Sequence, residues 1–162
     1  MAVSLHFPVV RWLNDDEQRA WRAFLQATQE LFEQIDRELV RSAGLSQADY
    51  EVLVRLSEGE HDRLRMSELA QNTMFSRSRL SHAVARLERD GLVTRAACAT
   101  DRRGMFAVLT PEGRRRLEAA APGHVTQVRQ LMFDRLTPHQ VAELEAICRA
   151  VTDGRGPSAP VA

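Results

Sequence analysis

The sequence predicts a mainly α-helical chain interrupted once by a short β-hairpin. Three observations carry that prediction. Apolar residues recur at three- and four-residue steps through most of the chain, helix-start and helix-stop residues punctuate them, and a two-residue period shows only between Gly91 and Thr110. At 162 residues, with 44% hydrophobic and 27% charged side chains, the chain has the size and composition of one globular domain.

The elements follow in order. From Asn14 to about Arg41, a long helix carries Trp21, Phe24, Leu25, Thr28, Leu31, Phe32, Ile35 and Leu39 on one stripe. Asp15, Asp16 and Glu17 suit its positive N-terminal end, and Gly44 stops it. Ser46 and Asp49 form a near capping box for a second helix that buries Tyr50, Leu53, Val54 and Leu56. Gly59 to Arg65 reads as a polar loop. "MSELAQNT" is a short helix with Ser67 at its cap. "SRSRLSHAVARLERDG" is the next, capped by Ser76, striped by Leu80, Val84 and Leu87, and stopped by Gly91. Two short helices joined by a tight turn, the second rich in arginine, form a helix-turn-helix pattern.

"LVTRAACA" and "MFAVLT" then read as two strands around a charged turn, "TDRRG". Thr110 caps a further helix with Pro111 in its first position, and Pro122 with Gly123 should kink or interrupt it. Thr137, Pro138 and Gln140 start the last helix. The fold class is therefore mainly α, a winged helix-turn-helix with a two-stranded β-wing, flanked by N- and C-terminal helices. Residues 46–110 form the winged lobe, 14–42 and 111–151 a helical dimerisation region, and 152–162 a tail disordered by composition. The flanking stripes are too extensive for the small winged lobe to cover, so the partner expected on them is a second copy of the chain.

Formal net charge is zero, yet it is unevenly spread: Ser76 to Arg103 holds 7 arginines against 3 acids, and the remainder 15 arginines against 19 acids. One basic segment on a neutral chain points to a localised anionic partner, double-stranded DNA. There is no lysine, so every Lys/Arg cation can fork two hydrogen bonds onto phosphate or guanine. With Leu80, Val84 and Leu87 facing inward, Ser78, His82, Ala85 and Arg89 fall on the opposite side of the helix. Ser78, His82 and Arg86 are the base-edge candidates, and Ala85 is small enough to admit a thymine methyl. Arg77, Arg79, Arg89 and Arg95 are the phosphate candidates, with Ser76 at the helix start. On the hairpin, Arg102 and Arg103 suit a narrow minor groove, and Asp101 can hold the Arg103 guanidinium in position.

The segments "MSELA", "SRSRLSHAVARLERDGLV" and "DRRGMFAVLTPEG" resemble the MarR (multiple antibiotic resistance regulator) family of winged-helix transcription factors, and the order of elements matches from about Asp15 to Val151. The resemblance implies a dimer joined through its terminal helices, two recognition helices on the halves of a near-palindromic operator, repression, and release by a small phenolic or anionic ligand. It gives Asp101 and Arg103 the place of the wing pair and Ser76 to Arg89 that of the recognition helix.

Other features carry weaker expectations. Trp12 and Trp21 line either a ligand pocket between the long helix and the winged lobe or, more plainly, the dimer core. Cys98 is the candidate for a redox-switched variant of the same regulator, whereas Cys148 reads as a small core residue. A winged-helix module for protein–protein contact is the alternative from another class, but its outward face would be apolar. The spacing of the five histidines and two cysteines supports no metal site, and no nucleophile elbow, P-loop or dinucleotide fingerprint is present. No cofactor, enzymatic activity or membrane segment is expected, and a cytoplasmic setting fits.

Overall fold

A computed structural model describes residues 10–73, 75–98 and 101–153, with the side chains of Asp101, Arg102, Arg103 and Asp153 outside that description. The elements are α1 (Asp15–Ala43), α2 (Gln47–Glu58), a 3₁₀ turn (Glu60–Asp62), β1 (Arg63–Arg65), α3 (Met66–Thr73), α4 (Arg77–Arg89), β2 (Val93–Cys98), β3 (Asp101–Leu109), α5 (Pro111–Leu131), a second 3₁₀ turn (Phe133–Arg135) and α6 (Pro138–Asp153). The fold is mainly α with a small antiparallel sheet, a winged helix-turn-helix between long flanking helices.

The helix starts are set locally by side chains that satisfy the first backbone amides. Asn14 and Glu17 exchange bonds of 2.8 and 2.9 Å to open α1, and Ser46 and Asp49 do the same for α2 at 3.2 and 3.1 Å. Ser76 Oγ accepts from the Arg79 amide at 3.2 Å to open α4. Gly44 ends α1 in the left-handed region at φ +65°, a conformation that costs a Cβ-bearing residue steric energy. The short helix α3 differs from expectation. It begins at Met66, so Ser67 lies inside it, and Glu68 accepts the Arg65 amide at 3.1 Å.

The core belongs to the winged lobe. Leu39 and Ile35 from the end of α1 meet Val52, Leu53 and Leu56 of α2, Leu69 of α3, Leu80, Val84 and Leu87 of α4, and Val93 and Ala107 of the sheet. Val54 is only half-buried. Gly59 to Arg65 is not simply a loop. Arg63, Leu64 and Arg65 pair with Val108, Ala107 and Phe106, making a third, edge strand in the order β1-β3-β2. Three residues are too few for a period to show, and the strand forms because β3 offers an edge and Leu64 packs against the core. Pro122 does not interrupt α5, which runs from Pro111 to Leu131 as one helix. Its neighbours Leu117, Ala120 and Val128 are anchored on the core to either side, and that packing outweighs the lost backbone bond. Helix α6 extends two residues into the expected tail, reaching Asp153, and residues 154–162 lie outside the described residues. No helix among the described residues is long and apolar enough to cross a membrane.

A buried polar corner joins α2 to α5. His124 packs against Tyr50 with ring centroids 4.4 Å apart, and its Nδ1 is buried without a hydrogen-bond partner. Burial lowers the His124 pKa, partly opposed by the Glu51 carboxylate. A histidine whose folded pKa lies below its ordinary 6.5 supplies stability above that pH and loses it as pH falls through the folded value. The urea midpoint should therefore drop between pH 7.5 and 5.5 by more in the native chain than in His124→Phe, which keeps a ring against Tyr50. Parallel pH curves would exclude this role.

Candidate nucleic-acid interface

Helix α4 presents the predicted face. Leu80, Ala83, Val84 and Leu87 are buried, whereas Arg77, Ser78, Arg79, His82 and Arg89 are exposed. The 100° step per residue separates the two groups, so the sequence of α4 alone decides what faces outward. Among the described residues, Arg77, His82 and Arg89 have no ion-pair or side-chain hydrogen-bond partner. Arg77 sits at the first helical position, where the unpaired amides and helix dipole also favour an anion. Ala85 is half-buried, at the edge of the face.

Three other arginines are held by the chain itself. Arg79 lies over the Phe75 ring, 4.4 Å from its centroid. Arg95 on β2 pairs with Glu88 at 3.4 Å, tying the wing to the end of α4. Arg86 is the larger departure. Its Nη2 donates to Asp49 Oδ1 at 2.8 Å, so it faces α2 rather than standing with Ser78 and His82 as a base reader. Asp49 is 7% exposed and also caps α2 through Ser46, so the pair locks the recognition helix to the helix behind it. Arg86→Ala should lower stability by about 1–2 kcal/mol, the usual cost of stranding a buried carboxylate reduced for solvent screening at the half-exposed guanidinium. Arg77→Ala, on the open face, should leave it unchanged. Equal urea midpoints for the two variants would refute the lock.

The wing differs from the expected hairpin. Asp101, Arg102 and Arg103 belong to β3 itself, and Asp101 pairs with Cys98 next to an irregularity at Ala97 and Cys98. The three charges therefore open strand β3, and the Asp101–Arg103 contact expected from sequence lies outside the described side chains. Sequence reasoning missed Arg63 and Arg65, which place guanidiniums 5.0 and 5.5 Å from the Phe106 centroid. The only signal was the alternation "RLR", which is silent without the strand pairing. Arg65 also donates to Cys98 Sγ at 3.3 Å. The two cysteines exchange their expected settings: Cys98 is buried, and Cys148 on α6 is exposed.

A cavity of about 1050 Å³ opens between α1 and the winged lobe, walled by Phe24, Phe32 and Phe75 and reached by Arg79. Trp12 and Trp21 are not part of it. They flank a separate depression of about 310 Å³ at the start of α1, where Trp12 is 83% exposed and Trp21 stacks on Phe24 at 6.1 Å. The aromatic spacing of α1 was legible, but which aromatics face the lobe depends on the line α1 takes across it. Phe75, one residue before the cap of α4, shows no periodic signal at all. Among the described residues, no cluster of three or more His, Cys, Asp or Glu is arranged to hold a metal ion.

Comparison with known proteins places this geometry. The family model described as "MarR family" matches residues 43–104, from α2 to the start of β3. The HTH-type transcriptional repressor YetL of Bacillus subtilis (strain 168) is 33% identical over 89 residues, spanning 55% of this chain and about half (53%) of that protein. Two solved structures match over nearly the whole chain. Sco3205, a MarR family transcriptional regulator from Streptomyces coelicolor solved in complex with DNA, is 50% identical with a TM-score of 0.88, covering 92% of this chain and 93% of that one. AbsC, a MarR family transcriptional regulator from the same organism, is 46% identical with a TM-score of 0.84, covering 91% and 100%. With half its residues shared across more than nine-tenths of a solved relative, and its cationic helix and wing in the matching order, this chain belongs to the MarR family of transcriptional regulators.

Proposed function

We propose that the chain acts as a homodimeric, sequence-specific repressor that binds a near-palindromic operator and is released by a small molecule in the α1 cleft. The observation that carries the reading is the outward face of α4, where Arg77, Arg79 and Arg89 stand exposed around Ser78 and His82 on a chain of zero net charge. Localised cations of this kind attract a polyanion without making the whole protein sticky. Ser78 and His82 read base edges. Ser76, Arg77, Arg79, Arg89 and Arg95 fix the helix on phosphates, and Asp101, Arg102 and Arg103 place the wing at the minor groove. Arg86 acts through Asp49 by holding the recognition helix in register.

The flanking helices, 14–42 and 111–151, supply the dimer. Trp21, Val125, Ile147 and Val151 are all more than half exposed in the single chain, an apolar surface that a second copy would cover. Two-fold symmetry would then set the half-sites about 34 Å apart, one turn of duplex. The relative solved with DNA and the relative described as a repressor support the assignment. The polar character of the α4 face disfavours a protein-docking module.

The test is a titration of the DNA upstream of the chain's own gene at several salt concentrations. Log affinity should fall with log salt at a slope of roughly −5, as about six neutralised phosphates release counterions. Arg77→Ala or Arg89→Ala should each shallow that slope by about 1, and Arg103→Ala should weaken specific binding by roughly 1–3 kcal/mol. A flat plot would sink the proposal.

A further inference from the structure

The family resemblance implies a phenolic or anionic ligand, but the cleft is lined mainly by carboxylates, charges of the same sign as such a ligand. Glu33, Asp36 and Glu51 all line it, against Arg79 as its one cation among the described residues. The hydroxyl and amide donors on its walls are largely spent within the chain. Gln29 Nε2 donates to Glu33 at 2.9 Å, Thr28 Oγ1 to the Phe24 carbonyl at 2.8 Å, and Thr73 Oγ1 to the Leu69 carbonyl at 2.8 Å. Acceptors remain. Asp36 uses Oδ1 on the Gln47 amide at 2.7 Å, and Glu51 uses Oε1 on Arg55 at 2.9 Å. Gln47, also in the lining, keeps its Oε1 buried with no donor. Arg37 approaches Glu33 at 3.7 Å, but neither Arg37 nor Arg55 lines the cleft.

The aromatic walls agree with this sign. A ring face is attractive to cations, and Phe75 already holds the Arg79 guanidinium 4.4 Å from its centroid. A carboxylate or phenolate ligand would meet three like charges, two of them partly offset by Arg37 and Arg55 behind the lining, and within the cleft would have Arg79 alone to pair with. We infer that the cleft takes an amphiphilic organic cation, with its aromatic body between Phe24, Phe32 and Phe75 and its positive group toward Asp36 and Glu51. This rests on the reading of the cleft as the regulatory site, and it fixes the charge of the effector that the site selects. Arg79 belongs to both the cleft and the DNA face, so a cation on Phe75 competes with it for the same ring.

Two dyes built on one xanthene skeleton separate the charges: rhodamine 6G, a cation, and fluorescein, an anion. Fluorescence anisotropy with the full-length protein, free of DNA, should show rhodamine 6G binding at least about ten-fold more tightly than fluorescein. The preference should shrink to within about three-fold in Asp36→Asn/Glu51→Gln. Glu33→Gln alone, at an exposed site, should reduce it measurably if the double variant does not fold. Equal or tighter binding of fluorescein overturns the inference. So does failure of rhodamine 6G to bind, or a preference that survives intact in a folded carboxyl variant. Retention of the upstream DNA fragment, measured in parallel, keeps the two readings apart. Loss of dye preference with DNA binding intact refutes only the ligand class, whereas absent DNA binding refutes the regulator itself.

Discussion

Placing a charge on α6 is expected to split the protein into single chains and abolish tight operator binding. Ile147 and Val151 lie one helical turn apart and are 61% and 72% exposed, on a helix with no buried residue among those described. Nothing among the described residues explains why a helix should keep two such side chains in water. A partner's matching helices would, and burying them on both sides of a two-fold axis would repeat the gain. Ile147→Glu would put two carboxylates into that apolar seam, at a large desolvation cost. Sedimentation equilibrium should show half the native mass. Affinity for the upstream DNA should fall about 100-fold or more, because each recognition helix then binds without the effective concentration its tethered twin provides. Helix content should persist, since the core is built from α1 to α5 and the sheet, with no residue of α6 among those described. An Ile147→Glu protein that stays dimeric would move the interface elsewhere. A clean monomer with undiminished affinity would remove the requirement for paired half-sites.

What the sequence disclosed, and what it did not, follows from how far each feature reaches along the chain. Caps are decided within four residues, so Asn14, Ser46, Ser76, Thr110 and Thr137 could all be read as helix starts before any fold was known. The inward face of α4 was legible for the same reason, because its period is local. The edge strand β1 was not, because Arg63 to Arg65 become a strand only when β3 arrives from more than thirty residues away. Arg86 fails in a similar way. Helical geometry puts it on a shoulder of the outward face, and only the approach of α2, with Asp49 buried at its start, turns it aside. The tryptophans show the limit at the largest scale. Periodicity placed Trp21 on an apolar stripe of α1, but the stripe serves the core only at Leu31, Ile35 and Leu39. Its earlier turns are left exposed, and a single sequence does not say which partner covers them.

The segment "LTPEG" carries the second large prediction, and its glycine explains why. Thr110 Oγ1 donates to the Gly91 carbonyl at 2.7 Å and accepts from the Gly113 amide at 2.9 Å, while the Thr110 amide reaches the Leu92 carbonyl at 3.1 Å. The end of the recognition helix, the end of the wing and the start of α5 thus meet at one corner. A Cβ on Gly113 would stand 2.1 Å from the Leu92 oxygen and 2.8 Å from Leu109 Cδ1, and the first of these is backbone that cannot rotate away. Gly113→Ala should therefore cost about 3 kcal/mol through overpacking, lowering the melting temperature by roughly 10 °C at fixed protein concentration. The same helix supplies its own control. At Gly123 a Cβ would meet nothing within 4 Å, so Gly123→Ala should be neutral or gain up to about 1 kcal/mol from restricting the unfolded chain. One substitution at two sites of α5 should thus give opposite signs. Because the Gly113 corner joins the winged lobe to α5, part of the proposed dimer region, Gly113→Ala should also weaken operator binding more than any stability-matched core variant such as Leu53→Ala. A Gly113→Ala protein that melts with the native chain would show that the corner yields without cost, and with it would go the claim that this junction holds the two reading heads at a fixed spacing.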